Sequence, residues 1–182
     1  TLFLTANLDK AYFANISTPH FFYTPSTLGL STCNIQELFE PGQNDSRKFI
    51  HDRQRITAWL KRFVERNTFE ISCPVLRDDR LAPAGKTGLI VSLLFDYSLT
   101  RHIQEMGWYD EFKEWMATKM IDVLESSIYP GLKAAVIDSF TSTPLTIERI
   151  TGNTDGAITG WAFTNDSIPA VHQLTKVASS VL

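Results

Sequence analysis

Cysteine, clustered histidine, long apolar runs and a surplus of either charge are all scarce in this chain, and each scarcity excludes a class of protein. Its 182 residues hold two cysteines, Cys33 and Cys73, far apart and outside any C-x-x-C pair. Neither a zinc ribbon nor a disulfide framework is indicated, and two reduced, buried thiols are expected. The histidines His20, His51, His102 and His172 stand apart with no metal-ligand spacing such as H-x-x-x-H, so no metal centre is expected. With 17 Lys and Arg against 20 Asp and Glu, the formal net charge is −3, which gives no global attraction to nucleic acid or anionic membranes. The longest strongly apolar run, Leu89 to Phe95 broken by Ser92, falls well short of the ~18 residues that suggest a membrane span. Ser139 lacks a G-x-S-x-G elbow. The chain has neither a Walker loop nor a G-x-G-x-x-G turn, and the glycines at 152, 156 and 160 have the wrong spacing for a pyrophosphate cradle.

What is present is the composition of an ordinary folded domain, with 43% hydrophobic and 20% charged residues and enough length for one sizeable core. The opening Thr1-Leu2-Phe3-Leu4-Thr5 has neither an initiator Met nor a basic leader, and the chain is read as a piece of a longer protein. Leu2 to Leu8 and Pro19 to Tyr23 read as strands divided by a turn-rich stretch. After Pro41-Gly42, Asp45 or Ser46 can cap a helix reaching about Glu65, with Ile56, Trp59, Leu60 and Phe63 on one face. Phe69 to Val75 and Gly88 to Tyr97 read as strands, joined by a turn-rich connection from Arg77 to Gly85. A longer helix runs between Gly107 and Ser127, with Trp108, Phe112, Trp115, Met116, Met120, Val123 and Leu124 as a wide apolar stripe. Pro130-Gly131 breaks the chain. A short helical segment from Leu132 to Ile137 and an extended Phe140 to Pro144 follow. The last elements expected are a strand from Ala157 to Phe163 and an amphipathic stretch from Val171 to Val181. This order, without regular β-α alternation, predicts an α+β fold: a mixed, mainly antiparallel sheet with helices packed on one face, forming a single domain over residues 1–182.

Candidate chemistry is sparse. Arg47, Lys48, Arg53, Arg55, Lys61, Arg62 and Arg66 make the first long helix locally basic, but Asp52 and Glu65 interrupt the run. A solvated helix face is the favoured reading over a nucleic-acid surface. The segment Gly152-Asn153-Thr154-Asp155-Gly156-Ala157-Ile158-Thr159-Gly160-Trp161 is more informative. On a strand, Gly156 and Gly160 would share one bare face, the mark of a bend or of something lying close against the backbone. A hairpin turn over Gly152 to Gly156 with a helix packed over Gly160 accounts for the same pattern.

Three blocks extend the argument. His20-Phe21-Phe22-Tyr23-Thr24-Pro25-Ser26 comes first; Ile71-Ser72-Cys73-Pro74 leads to Leu81-Ala82-Pro83-Ala84-Gly85-Lys86-Thr87; Thr143-Pro144-Leu145-Thr146 precedes the glycine segment. In this order they resemble the phytoene desaturase-like FAD-dependent oxidoreductases, which include carotenoid desaturases and isomerases. The resemblance spans nearly the whole chain and implies the substrate-binding domain of such an enzyme. The N-terminal Rossmann part and the C-terminal flavin segment would lie outside these 182 residues. FAD would therefore belong to the parent protein, with no cofactor on this piece alone, and no catalytic or metal-binding residue carries over. The resemblance implies an extended apolar or lipid-like substrate and the FAD-binding domain of the same chain as partners. No nucleic acid is implied, and the expected setting is cytoplasmic with peripheral membrane contact. Thr143, Pro144, Thr146, Gly152, Asn153, Gly156, Ala157, Gly160 and Trp161 would line or border the substrate pocket. The rival expectation is a non-catalytic module that grips an apolar ligand or protein partner with the same sheet face.

Overall fold

A computed structural model describes residues 1–41 and 48–158. Among the described residues five strands form one sheet: β1 Leu2–Ala6, β2 His20–Tyr23, β3 Phe69–Ser72, β4 Thr87–Ser92 and β5 Val136–Thr141, in the order β2-β3-β4-β1-β5. Every pairing among the described strands is antiparallel. The fold is α+β, and the expected parallel component is not found among these strands.

Alternation sorts the sheet into two faces. Leu2, Leu4 and Ala6 of β1, Phe69 and Ile71 of β3, and Leu89 and Val91 of β4 are buried. Against them pack the helices α2 Arg53–Arg66, α3 Tyr97–Glu105 and α4 Tyr109–Ser127, through Ile56, Leu60, Leu99, Ile103, Phe112 and Leu124. The opposite face carries Phe3 stacked on its cross-strand partner Phe140 at 4.8 Å. Three short helices complete the α-helices of the described residues: α1 Lys10–Ala14, α5 Leu132–Ala135 and α6 Pro144–Thr151. Phe13 of α1 is held edge-on by the fully buried Tyr129.

Several elements differ from their sequence reading, each for a local reason. Asp52 caps α2 by accepting from the Arg55 amide at 3.0 Å; residues 42–47, which include Asp45, Ser46 and Arg47, lie outside the described residues. β4 ends at Ser92, because Asp96 caps α3 by accepting from the Leu99 amide at 2.7 Å. Leu93 to Phe95 therefore leave the sheet, although their apolar character mimics a continuing strand. β5 begins at Val136, so the expected helix there stops after one turn.

The largest difference falls at Thr143-Pro144, where a helix starts and the extended run ends. Thr143 and Thr146 form a reciprocal capping box, and Pro144 takes the first helical position, where a missing N–H costs nothing and its φ is pre-set. Gly152 closes α6 in the left-handed conformation at φ 74°, the usual place for glycine after a helix. A 3-10 turn, Thr154–Gly156, follows. Gly156 thus sits in a turn at φ 64°, and Ala157 and Ile158 are not paired in the sheet. The remainder of the expected strand to Phe163, and the stretch from Val171 to Val181, lie outside the described residues.

Candidate functional site

At one end of the sheet the chain forms a half-open cavity of about 840 Å³. Its floor is α4, which presents Phe112, Met116 and Met120. Leu93 to Tyr97, the segment that leaves the sheet before α3, makes one wall. Thr141 to Pro144 and Ile147, where β5 turns into α6, make another. The turn Asp155 to Ile158 closes the far side, and Phe22, Leu30 and Thr68 stand at the β2–β3 edge. Leu94, Phe22 and Ile158 at the mouth are 76%, 68% and 69% exposed, a concentration of large apolar side chains in water that is unusual unless something covers them.

Hydrogen bonds hold the walls. Tyr109 Oη lies 2.6 Å from Thr143 Oγ1, which ties the start of α6 to α4. Tyr97 Oη donates to Glu148 Oε2 at 2.7 Å, which ties α6 to α3 and raises the tyrosine pKa above its ordinary value, first through that bond. Asn153 Nδ2 donates to the Ala157 carbonyl at 2.8 Å and holds the closing turn.

The charged side chains of the lining run one way. Glu70, Asp96 and Asp155 contribute carboxylates, and no Lys or Arg lines the cavity among the described residues. Asp96 is occupied by its cap on α3, and Glu70 faces His20 Nε2 at 3.4 Å. Such a lining disfavours phosphates and carboxylates and suits a neutral apolar molecule.

Of the residues singled out in the sequence, Thr143, Pro144, Gly156 and Ala157 line this cavity. Thr146 stands one turn into α6 and completes the capping box. Gly152 and Asn153 shape the turn without lining the cavity. Gly160 and Trp161 lie outside the described residues. Sequence reasoning missed the floor and the first wall. Met116 and Met120 share a helical stripe with core residues, and periodicity does not distinguish a side chain that faces a core from one that faces a cavity. The i, i+4 methionines were the available signal, since thioethers suit adaptable apolar sites.

Other groupings are less suited to chemistry. Ser72 Oγ lies 2.7 Å from His20 Nδ1, and His20 Nε2 faces Glu70, an order that evokes nucleophile, base and acid. All three sit on adjacent strands as a cross-strand ladder, with His20 and Glu70 well exposed to solvent, where such pairs act weakly. The basic residues of α2 are largely engaged: Arg62 with Glu37 at 2.6 Å, Lys61 with Glu65 at 2.6 Å, and Arg53 over the Trp108 ring at 4.7 Å. Among the described residues no group of three His, Cys, Asp or Glu is placed to hold a metal. No described helix is long and apolar enough to cross a membrane.

No family model matches the chain, and no curated protein or solved structure shows a significant similarity to it.

Proposed function

We propose that this chain is the substrate-binding part of an FAD-dependent oxidoreductase of the phytoene desaturase-like kind, and that the cavity at the end of the sheet takes an extended apolar substrate. One observation carries the reading: Thr143-Pro144, from the third block behind the sequence resemblance, and Gly156-Ala157, from the glycine segment that follows it, meet on the wall of a single large apolar cavity. The size falls within the range of small-molecule sites. The adaptable methionine floor and the exposed apolar mouth both favour a flexible hydrocarbon-like guest over a compact polar one.

The cavity does not fit the flavin itself. A dinucleotide needs donors for its pyrophosphate, supplied by a glycine-rich turn at a helix N-terminus or by cations. The lining supplies carboxylates in their place. The flavin is therefore assigned to parts of a longer parent chain. The residues described here bind and orient the substrate and exclude water from it, which is the protein's share of the work in cofactor enzymes. A cytoplasmic enzyme in peripheral contact with the membrane that stores its substrate is the setting this reading implies.

The test is an absorption spectrum of the purified full-length parent and of this chain alone. A flavin spectrum in the parent and a colourless chain that still binds a solvatochromic apolar dye support the proposal. A colourless parent that binds the dye would make this a non-catalytic apolar-ligand module, and flavin bound to the chain alone would overturn the division of labour.

A further inference from the structure

The outer face of the sheet is not built for water. An antiparallel sheet can leave one face solvated, and that face is then polar. Here the register sets Ile90, Phe3 and Phe140 side by side across β4, β1 and β5, on the face away from α2, α3 and α4, and Phe140 is 60% exposed. The next row, Gly88, Thr5 and Asp138, places a glycine inside a strand. Its φ is not positive, and among the described residues a Cβ there would meet nothing nearer than the Leu4 carbonyl oxygen at 3.8 Å. Neither conformation nor crowding by described atoms requires glycine, and a bare position inside a strand marks the close approach of another element. Both rows line one shallow groove of about 210 Å³, with Val75 and Leu81 also in its lining.

Size and position select the occupant. Five strands of this length present a face of roughly 20 by 16 Å, less than half of the ~800 Å² per partner that a stable dimer buries. One short helix is enough to cover it. The described chain ends at Ile158, which lines the cavity together with Glu70 and Ser92, and both of these belong to the outer face. In the sequence that follows, Val171, Leu174, Ala178 and Val181 recur at helical spacing, with His172, Lys176 and Ser179 on the opposite side. The same stretch has no Asp or Glu to oppose Asp138. As a helix, residues 171–181 span about 16 Å, and residues 159–170 reach up to about 40 Å, so the stretch can arrive at the groove from Ile158. We infer that the outer face is covered by the chain's own residues 171–181, packed as an amphipathic helix across β4, β1 and β5 with its backbone close to Gly88.

The experiment is urea denaturation of Gly88→Thr, Leu174→Asp and the double variant. Threonine suits an uncovered strand position better than glycine, so on an open face Gly88→Thr stabilises the chain. The expected result is that Gly88→Thr and Leu174→Asp each lower the folded-to-unfolded ratio about tenfold, and that Gly88→Thr raises the ratio once Leu174→Asp is present. A stabilising Gly88→Thr in the otherwise wild-type chain overturns the inference, and so does a loss that persists unchanged beside Leu174→Asp. Stability that rises with protein concentration assigns the face to a second copy and overturns it too. Should Leu174→Asp fail to fold, NMR of the wild-type chain decides. Nuclear Overhauser contacts between the Phe140 ring and the Leu174 methyl groups are expected, and their absence contradicts the placement.

Discussion

Gly156 lies directly against the main chain of Pro144: a Cβ built on Gly156 would stand 2.2 Å from the Pro144 carbonyl oxygen and 2.6 Å from its carbonyl carbon. The turn that closes the cavity is thus stacked on the first residue of α6, and only a residue without a side chain permits it. Gly156 also holds a positive φ of 64°, so two independent constraints meet at one position.

Two glycines a few residues apart separate these constraints. Gly152 has a similar φ of 74° and open space around its would-be Cβ. Gly152→Ala is expected to cost about 1 kcal/mol, the conformational term alone. Gly156→Ala is expected to cost roughly 2 kcal/mol or more, because the contacting atoms are backbone and cannot rotate away. Urea denaturation of the two variants measures the difference, and equal losses would refute the close approach.

The threonine cap makes a second prediction. Thr143→Val removes the acceptor for the Thr146 amide and the contact with Tyr109, and is expected to lower stability by about 1 kcal/mol. Thr143→Ser keeps both groups and stays near wild type. If Val and Ser behave alike in thermal melts, the capping box contributes nothing.

The two thiols should differ. Both are free; Cys73 is fully buried, and that burial raises its pKa to about 11, whereas Cys33 is partly open. Because the thiolate is the reactive form, a colorimetric thiol reagent in mildly alkaline buffer should titrate one thiol in the folded protein and two in denaturant. Two rapidly reacting thiols in the folded protein would contradict the packing around Cys73.

Tyr129 sets the alkaline limit. Burial is the main cause that pushes its phenol up to about 12 from an ordinary value of 10.0, and its hydroxyl donates to Ser17 Oγ at 3.1 Å. The folded state keeps this proton at a pH where the unfolded chain releases it. The stability Tyr129 supplies is therefore fully present below about 10 and is lost as pH rises towards about 12. Tyr129→Phe should flatten that part of the stability curve, and an unchanged alkaline slope in the variant would remove Tyr129 as the cause.

How far the sequence reaches can be judged element by element. The strand at Leu2, the strand at Gly88 and the helical stripe of Ile56, Trp59, Leu60 and Phe63 were legible, because each period is strong and undisturbed. α3 was hidden because Leu93 to Phe95 prolong an apolar strand pattern, and only the cap at Asp96 shows that the chain has turned. Of the glycine segment, Gly152 has open space around it, whereas Gly156 does hold a close approach, but in a turn rather than on a strand and against Pro144 of the same chain. That contact joins residues twelve positions apart through a helix which the extended reading of Phe140 to Pro144 had erased. The cavity floor stayed illegible for a different reason. Met116 and Met120 satisfy a core pattern and a cavity pattern equally, and only the path of Leu93 to Tyr97 decides between them.

The most direct test of the ligand cavity is a dye-binding isotherm on the wild-type chain and on Leu94→Glu. Leu94 stands at the mouth and is 76% exposed, so a charge there spares the fold while confronting an apolar guest. Saturable binding of one Nile red per chain, weakened about tenfold by Leu94→Glu, is the predicted result. Absence of saturable binding to wild type, or binding indifferent to the charge at Leu94, would contradict it.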